Sequence, residues 1–218
     1  EMKKLNYDYE HIVIDNSSTD STVSILRKKA LIDKNLKVII NSRNFGHIKS
    51  PVHGILQASG EAVILMTSDF QDPVSLISIY LKEWEKGHRV VMAQKISSDE
   101  NSKMNFLRKL FYKTIKCISE VSLPANITGA GLFDKKIVEE IRNINDPYPY
   151  FRGLISEITN EIKLVPFHQP KRLGGKTKNN FYTLYDIGVL GVIKHSKLPL
   201  RIITFIGMIA SIASFLVA

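Results

Sequence analysis

The chain has 218 residues, 44% of them hydrophobic and 23% charged, with 30 Lys plus Arg against 21 Asp plus Glu and a formal net charge of +9. This length and composition suit one medium domain with an appendage and exclude a chain disordered throughout. A single cysteine forms no internal disulfide and the six histidines lack paired zinc-site spacings, which together point to a reducing compartment.

The opening residues, Glu1-Met2-Lys3-Lys4, carry no signal-peptide pattern, and the chain is expected to be a fragment truncated at both ends. A first strand, His11 to Asp15, runs into the short polar turn Asn16-Ser-Ser-Thr-Asp20, which leads to a helix from about Ser21 to Ala30. A second strand covers Leu36 to Asn41. The next helix is expected from near Ile48, with Pro51 in its first turn, to near Ser59-Gly60. A third strand, Ala62 to Thr67, precedes a loop and a helix to about Lys86, with Asp72 as its N-cap and Pro73 at its first position. A fourth strand spans Arg89 to Lys95. This alternation predicts an α/β protein with a mainly parallel sheet.

The charge is unevenly spread. Lys103, Arg108, Lys109, Lys113 and Lys116 fall between Glu100 and Glu120 with no acid among them, and Lys163, Lys171, Arg172, Lys176 and Lys178 form a second acid-free run before Asp186. Such an excess suits nucleic acid, anionic lipid or a phosphorylated small molecule, or simply solvated faces. No nucleic-acid-binding motif is present, so nucleic acid is not the expected partner. Residues 202–218 are uncharged and apolar around the whole helical circumference, which reads as the start of a transmembrane segment rather than a buried C-terminal helix. Lys194, Lys197 and Arg201 precede it, so the positive-inside rule puts the preceding residues on the cytoplasmic side of the inner membrane.

In α/β sheets, ligands bind at the carboxyl ends of strands, where this chain carries Asp15 and Asp69. Asp15 and Asp20 also suit turn and capping roles. Asp69, with an oxygen donor such as Gln71 nearby, is suited to holding Mg²⁺ or Mn²⁺ against a diphosphate.

Ile12-Val-Ile-Asp15-Asn-Ser-Ser-Thr-Asp20, then Asn44-Phe-Gly46, then Gly60-Glu and Asp69-Phe-Gln71-Asp-Pro73 resemble, in order and spacing, the motifs of family 2 glycosyltransferases with the GT-A fold. The resemblance is closer to the membrane-bound branch with dolichyl-phosphate mannosyltransferase and bacterial polyprenyl-phosphate glycosyltransferases. It extends through Gly129-Ala-Gly-Leu-Phe-Asp134, Pro147-Tyr-Pro-Tyr-Phe-Arg152-Gly and Lys171-Arg172-Leu-Gly-Gly175-Lys-Thr177-Lys178, so nearly the whole chain is covered.

The resemblance implies a nucleotide-diphospho-sugar donor, a divalent cation (Mg or Mn), and transfer with inversion to a polyprenyl phosphate at the membrane. By position, Asp15, Asn44, Gly46 and Asp69 contact the donor, Asp69 and Gln71 hold the metal, and Asp69 and Arg172 are the residues expected to carry catalysis. Residues 102–120 have apolar positions at helical spacing and suit an amphipathic helix lying on the bilayer. Arg108 and Lys109 there, with Arg172, Thr177 and Lys178, are expected to meet the acceptor phosphate. The implied organisation is a GT-A domain over residues 1–180, a juxtamembrane helix over 181–201 and a transmembrane start from 202, with a homo-oligomer left open.

Three departures accompany the resemblance. Thr67 stands where many members have an Asp, Gly129-Ala130-Gly131 stands where many carry an acid, and the family's first strand is absent. A phosphate monoester acceptor is largely ionised at neutral pH and needs no base, whereas a sugar hydroxyl does. A hydroxyl-directed transferase and an inactive nucleotide-sugar-binding module therefore remain as alternatives. Trp84, Tyr148, Tyr150 and Phe151 suit core packing, sugar stacking or a membrane interface. Arg152 and Glu157 have no role fixed by sequence.

Overall fold

The computed structural model describes residues 2–98, 119, 121–170 and 181–217. Contacts divide the chain into two compact units, one comprising Glu1–Asp99 and Pro124–Gly175 and the other Glu100–Leu123 and Lys176–Ala218.

The first unit is an α/β assembly. Its strands are β1 (His11–Asp15), β2 (Leu36–Ile40), β3 (Ala62–Leu65), β4 (Val90–Ser98), β5 (Ile127–Asp134) and β6 (Ile162–Gln169). Its helices are α1 (Thr22–Ile32), α2 (Gly46–Gln57), α3 (Leu76–Glu85), α4 (Lys135–Ile144) and α5 (Phe151–Ile158). β1 and β2 pair in parallel, with His11 opposite Leu36 and Asp15 opposite Ile40. The other four strands form a sheet in the order β3-β5-β4-β6.

The expectation of a mainly parallel sheet needs correction at β5. β4 and β6 are parallel, but β5 lies antiparallel to both β3 and β4. The βα alternation correctly makes β3 and β4 codirectional, yet the strand inserted between them runs the other way. Gly131 permits this insertion, because a Cβ there would stand 2.3 Å from the carbonyl oxygen of Val91 on β4.

Alternating residues of β4 and β5 feed two apolar layers, as the period of two in a pleated strand requires. Val90, Met92, Ile127 and Phe133 pack with Val52 and Ile55 of α2, Ile137, Val138 and Ile141 of α4, and Leu154 and Ile155 of α5. Val91, Ala93, Ala130 and Leu132 pack on the opposite face with Leu76, Tyr80 and Leu81 of α3 and Val165 and Phe167 of β6. Phe133 is wholly buried and meets Phe151 edge-on at 5.2 Å, so its truncation to Ala costs about 3–5 kcal/mol. α4 is capped by Asp134, whose carboxylate accepts from the backbone N–H of Lys136 and from the Trp84 indole at 2.8 Å. Trp84, Tyr150 and Phe151 thus pack in or against the core, in line with one of the roles open to them.

Two helix starts differ from expectation. α2 begins at Gly46, two residues before Ile48, which puts Pro51 in its second turn. α3 begins at Leu76, with Ser75 rather than Asp72 at its N-cap. A turn bonded from the Leu76 N–H to the Pro73 carbonyl at 3.0 Å leads into it. Asp72 is instead buried and bonds back to Thr67.

The second unit contains, among its described residues, α6 (Phe181–His195) and α7 (Leu198–Val217). The break falls at Ser196-Lys197. Ser196 Oγ accepts from the Leu198 N–H at 3.1 Å and Pro199 lies in the first turn, both favourable at a helix start. α7 has 20 residues and a mean hydropathy of 2.1, and none of it is buried, which contradicts a buried C-terminal helix.

Glu10 fastens the entry to β1. It accepts from Lys37 Nζ on β2 at 2.5 Å and from the Ser59 N–H and Oγ, beyond the end of α2, at 2.6 and 2.8 Å. The bond to Lys37 foremost, then that from the Ser59 backbone, holds its pKa down from 4.5 to about 2. A depressed carboxylate stabilises the fold above its unfolded pKa, and that contribution disappears as pH falls through the folded value. Glu10→Gln should therefore lower the unfolding midpoint in urea at pH 7. The gap from wild type should narrow below pH 4.5 and close near pH 2, and a gap independent of pH would exclude this ionic fastening.

Candidate donor-binding site

Asp15 ends β1 almost fully buried, and its Oδ2 accepts from the Ser18 N–H at 2.9 Å. The next residue organises the loop. Asn16 Nδ2 donates to Asn44 Oδ1 at 2.8 Å and to the Gly46 carbonyl at 3.3 Å. Its Oδ1 accepts from Asn41 Nδ2 at 3.1 Å and from the Phe45 N–H at 2.9 Å. Both donors and both acceptor positions of one amide are thereby used. Asn41 Nδ2 also donates to Ser50 Oγ at 3.1 Å, and Asn44 Oδ1 accepts from the Gly46 N–H at 2.8 Å. Gly46, at φ +82, supplies the left-handed turn from which α2 departs. The ends of β1 and β2 and the start of α2 are therefore one bonded unit, which brings the expected donor residues Asp15, Asn44 and Gly46 together.

The second loop follows β3. Thr67 Oγ1 lies 2.8 Å from Asp69 Oδ1 and 2.6 Å from Asp72 Oδ2, so its single hydroxyl proton is shared by two carboxylates. The Thr67 N–H also reaches Asp72 Oδ2 at 3.2 Å, and the Gln71 N–H reaches Asp69 Oδ1 at 3.2 Å. Phe70 between them is exposed and held at φ +59, a conformation uncommon for such a side chain. Thr67 is thus the residue that aligns the two acids following it.

Among the described residues no group of three or more His, Cys, Asp or Glu could hold a metal ion. Asp69 with Gln71 is a smaller set of hard oxygen donors. It fits Mg²⁺ or Mn²⁺ of the kind bound by one or two carboxylates together with substrate phosphates. Asp72 faces inward to Thr67 and does not belong to that set.

The Gly129 to Gly131 stretch offers no carboxylate. Ala130 is buried in the apolar layer against α3, and Gly131 faces the β4 backbone. Arg108, Lys109, Arg172, Thr177, Lys178 and the expected amphipathic stretch 102–120 lie outside the described residues. Sequence reasoning passed over Asn16, Asn41, Ser50 and the alignment role of Thr67. Asn16 had a visible signal, an Asn directly after a strand-end Asp, but it read as ordinary turn composition.

An α/β fold with Asp and Asn side chains tied into loops at strand ends places polar groups where ligands bind in proteins of this class. The family model for glycosyl transferase family 2 matches residues 2–142. The chain belongs to that family. The uncharacterized glycosyltransferase sll0501 of Synechocystis sp. is 32% identical over 96% of this chain and 66% of its own length. The bactoprenol glucosyl transferase of Shigella phage SfV is 30% identical over 96% of this chain and 69% of its own. This chain thus spans about two thirds of the length of these relatives. The mannosyltransferase PcManGT from Pyrobaculum calidifontis, solved with GDP-Man and Mn²⁺, aligns over 92% of this chain and 58% of its own at 15% identity and a TM-score of 0.49.

Two substitutions test the loops. Asn16→Ala removes an amide used four times and should cost about 2 kcal/mol or more in urea unfolding, at roughly 1 kcal/mol per bond with partial compensation by water. A cost within about 0.5 kcal/mol, the range of ordinary surface changes, would deny it an organising role. Thr67→Val keeps shape and removes the shared proton. Mn²⁺ titration followed by electron paramagnetic resonance in the presence of nucleoside diphosphate should give about tenfold weaker binding, with Thr67→Ser restoring it. Equal affinity in Thr67→Val would show that Asp69 needs no alignment.

Proposed function

We propose that this chain is the catalytic part of an inverting glycosyltransferase that moves a sugar from a nucleotide-diphospho-sugar to a polyprenyl phosphate at the cytoplasmic face of the inner membrane. The observation that carries this reading is the union, in one family 2 chain, of bonded strand-end loops bearing Asp15 and Asp69 with a 20-residue apolar helix exposed along its length. The name of the phage relative, a bactoprenol glucosyl transferase, supports the choice of acceptor.

In this account Asp15 and the Asn16-Asn44-Gly46 unit seat the nucleoside and the start of the diphosphate. Asp69 and Gln71 hold a divalent cation against the diphosphate, which stabilises charge developing on the leaving nucleotide. Thr67 keeps the Asp69 carboxylate aligned, so that little reorganisation is needed when the donor arrives. Burial of Ala130 and the crowding at Gly131 put no carboxylate on this part of β5. That suits a phosphate acceptor, which already carries the negative charge needed for attack. Placing its oxygen behind the anomeric carbon supplies much of the remaining acceleration.

Residues 1–180 then form the transferase domain, 181–201 the juxtamembrane helix and 202 onward the membrane anchor, with Lys194, Lys197 and Arg201 on the cytoplasmic side. Arg108, Lys109, Arg172, Thr177 and Lys178 belong to acceptor and phosphate handling.

The test is transfer from radiolabelled uridine and guanosine diphosphate sugars to polyprenyl phosphate, with the full-length protein and Mg²⁺ or Mn²⁺. Label should enter the organic phase. Asp69→Ala should reduce that transfer by about two orders of magnitude or more while leaving membrane association unchanged. Label that stayed in water despite donor binding would reject the lipid acceptor, and near-normal turnover by Asp69→Ala would remove it from the metal role.

A further inference from the structure

The loop that presents Asp69 is held by a buried carboxylate, and only one oxygen of that carboxylate is bonded. Asp72 is 3% exposed. Its Oδ2 accepts from the Thr67 N–H and Oγ1 at 3.2 and 2.6 Å, whereas its Oδ1 is buried without a hydrogen-bond partner. The hydroxyl of Tyr80 shares that condition, since the residue is wholly buried and its O–H makes no hydrogen bond. One of these atoms is an acceptor and the other carries a donor. Leaving a buried polar group unmet costs a fold more than an ordinary hydrogen bond contributes to it, so each atom requires a partner.

The backbone brings the two side chains toward one another. Turn bonds from the Leu76 N–H to the Pro73 carbonyl at 3.0 Å and from the Ile77 N–H to the Val74 carbonyl at 3.2 Å carry the chain from Asp72 directly into α3. Tyr80 follows Leu76 by four residues, on the same face of α3, and both belong to the apolar layer with Val91 and Leu132. Helical side chains incline toward the N-terminus of their helix, and a tyrosine is longer than the rise of one turn, about 5.4 Å. The Tyr80 ring therefore lies over the Leu76 turn and carries its hydroxyl toward the end of the helix at which Asp72 stands. Burial, and after it the charge of Asp72, push the pKa of that hydroxyl up, the direction expected for a phenol that faces a carboxylate.

We infer that Tyr80 is a positioning residue of the Asp69 loop, its hydroxyl joined to Asp72 Oδ1 through one bound water. A water accepts from the phenol and donates to the carboxylate, and it spans two atoms that are not in direct hydrogen-bond geometry. Three links then run in series. Tyr80 orients Asp72, Asp72 orients the Thr67 hydroxyl, and that hydroxyl orients Asp69. The packed core of α3 is thereby tied to the loop that holds the cation. The effect on the cation rests on the reading of Asp69 as a metal ligand, whereas the bond from Tyr80 does not.

The experiment uses the full chain in detergent micelles and Tyr80→Phe, which keeps the ring and removes only the hydroxyl. Two quantities are read, the midpoint of urea unfolding and the Mn²⁺ affinity in the presence of nucleoside diphosphate, followed by electron paramagnetic resonance. The inference predicts a midpoint below that of wild type and Mn²⁺ binding about fivefold weaker, the loss expected for one neutral hydrogen bond. Because the route passes through Thr67, adding Tyr80→Phe to Thr67→Val should weaken Mn²⁺ binding no further than Thr67→Val alone. A midpoint raised or unchanged would overturn the inference, since deleting an unmet buried hydroxyl relieves a cost instead of imposing one. A lowered midpoint with wild-type Mn²⁺ affinity would overturn the positioning role, as would losses that multiply in the double variant. In either of those cases the metal reading of Asp69 stands, because the wild-type chain binds the cation. A wild-type chain that binds no Mn²⁺ with nucleoside diphosphate would refute the metal reading and the positioning role together, while the midpoint still decides whether Tyr80 is bonded.

Discussion

The arrangement of the strand-end loops depends on one primary amide. Asn16 has two N–H donors and two acceptor lone pairs, and all four are engaged across a gap that separates β1, β2 and α2 in sequence. Loops at strand ends carry backbone groups that the ladder no longer satisfies, and a loop free to choose among partners would hold Asp15 and the start of α2 in many relative positions. Saturating one amide selects a single arrangement. The cost of losing it exceeds one bond, since Asn41, Asn44 and Phe45 would each be left with an unmet donor or acceptor.

The loop after β3 applies the same economy with a hydroxyl. Thr67 offers one proton to two carboxylates, and the buried Asp72 anchors the hydroxyl that aligns Asp69. Thr67 brings no charge to the loop and acts as a positioning group. Across the sheet, Ala130 and Gly131 serve packing, the first inside an apolar layer and the second beneath the β4 backbone. Orientation and electrostatics therefore bear more of the proposed chemistry than proton transfer does.

Much of this was legible in the chain because it depends on local pattern. β1 and β2 are compact apolar runs, and the structure places them at His11–Asp15 and Leu36–Ile40, within one residue of their expected limits. The apolar run from residue 202 announced a helix, although Ser196 and Pro199 start it earlier, at Leu198. Asp72 was misread because Asp-Pro suits an N-cap equally well by local chemistry, and only burial against Thr67 decides otherwise. The direction of β5 was not legible, since pairing order is a tertiary property and β5 is joined to β4 through residues distant in sequence.

The central claim is that the loops ending β1, β2 and β3 jointly receive a nucleotide-sugar. Amide hydrogen exchange of the full-length protein, with and without Mn²⁺ plus uridine or guanosine diphosphate sugar, tests it most directly. The account predicts slower exchange on donor addition at residues 15–18, 44–47 and 67–71 together, with Mn²⁺ required for the last group. Protection confined to other parts of the chain, or none at any of the three loops while the donor is bound, would contradict it.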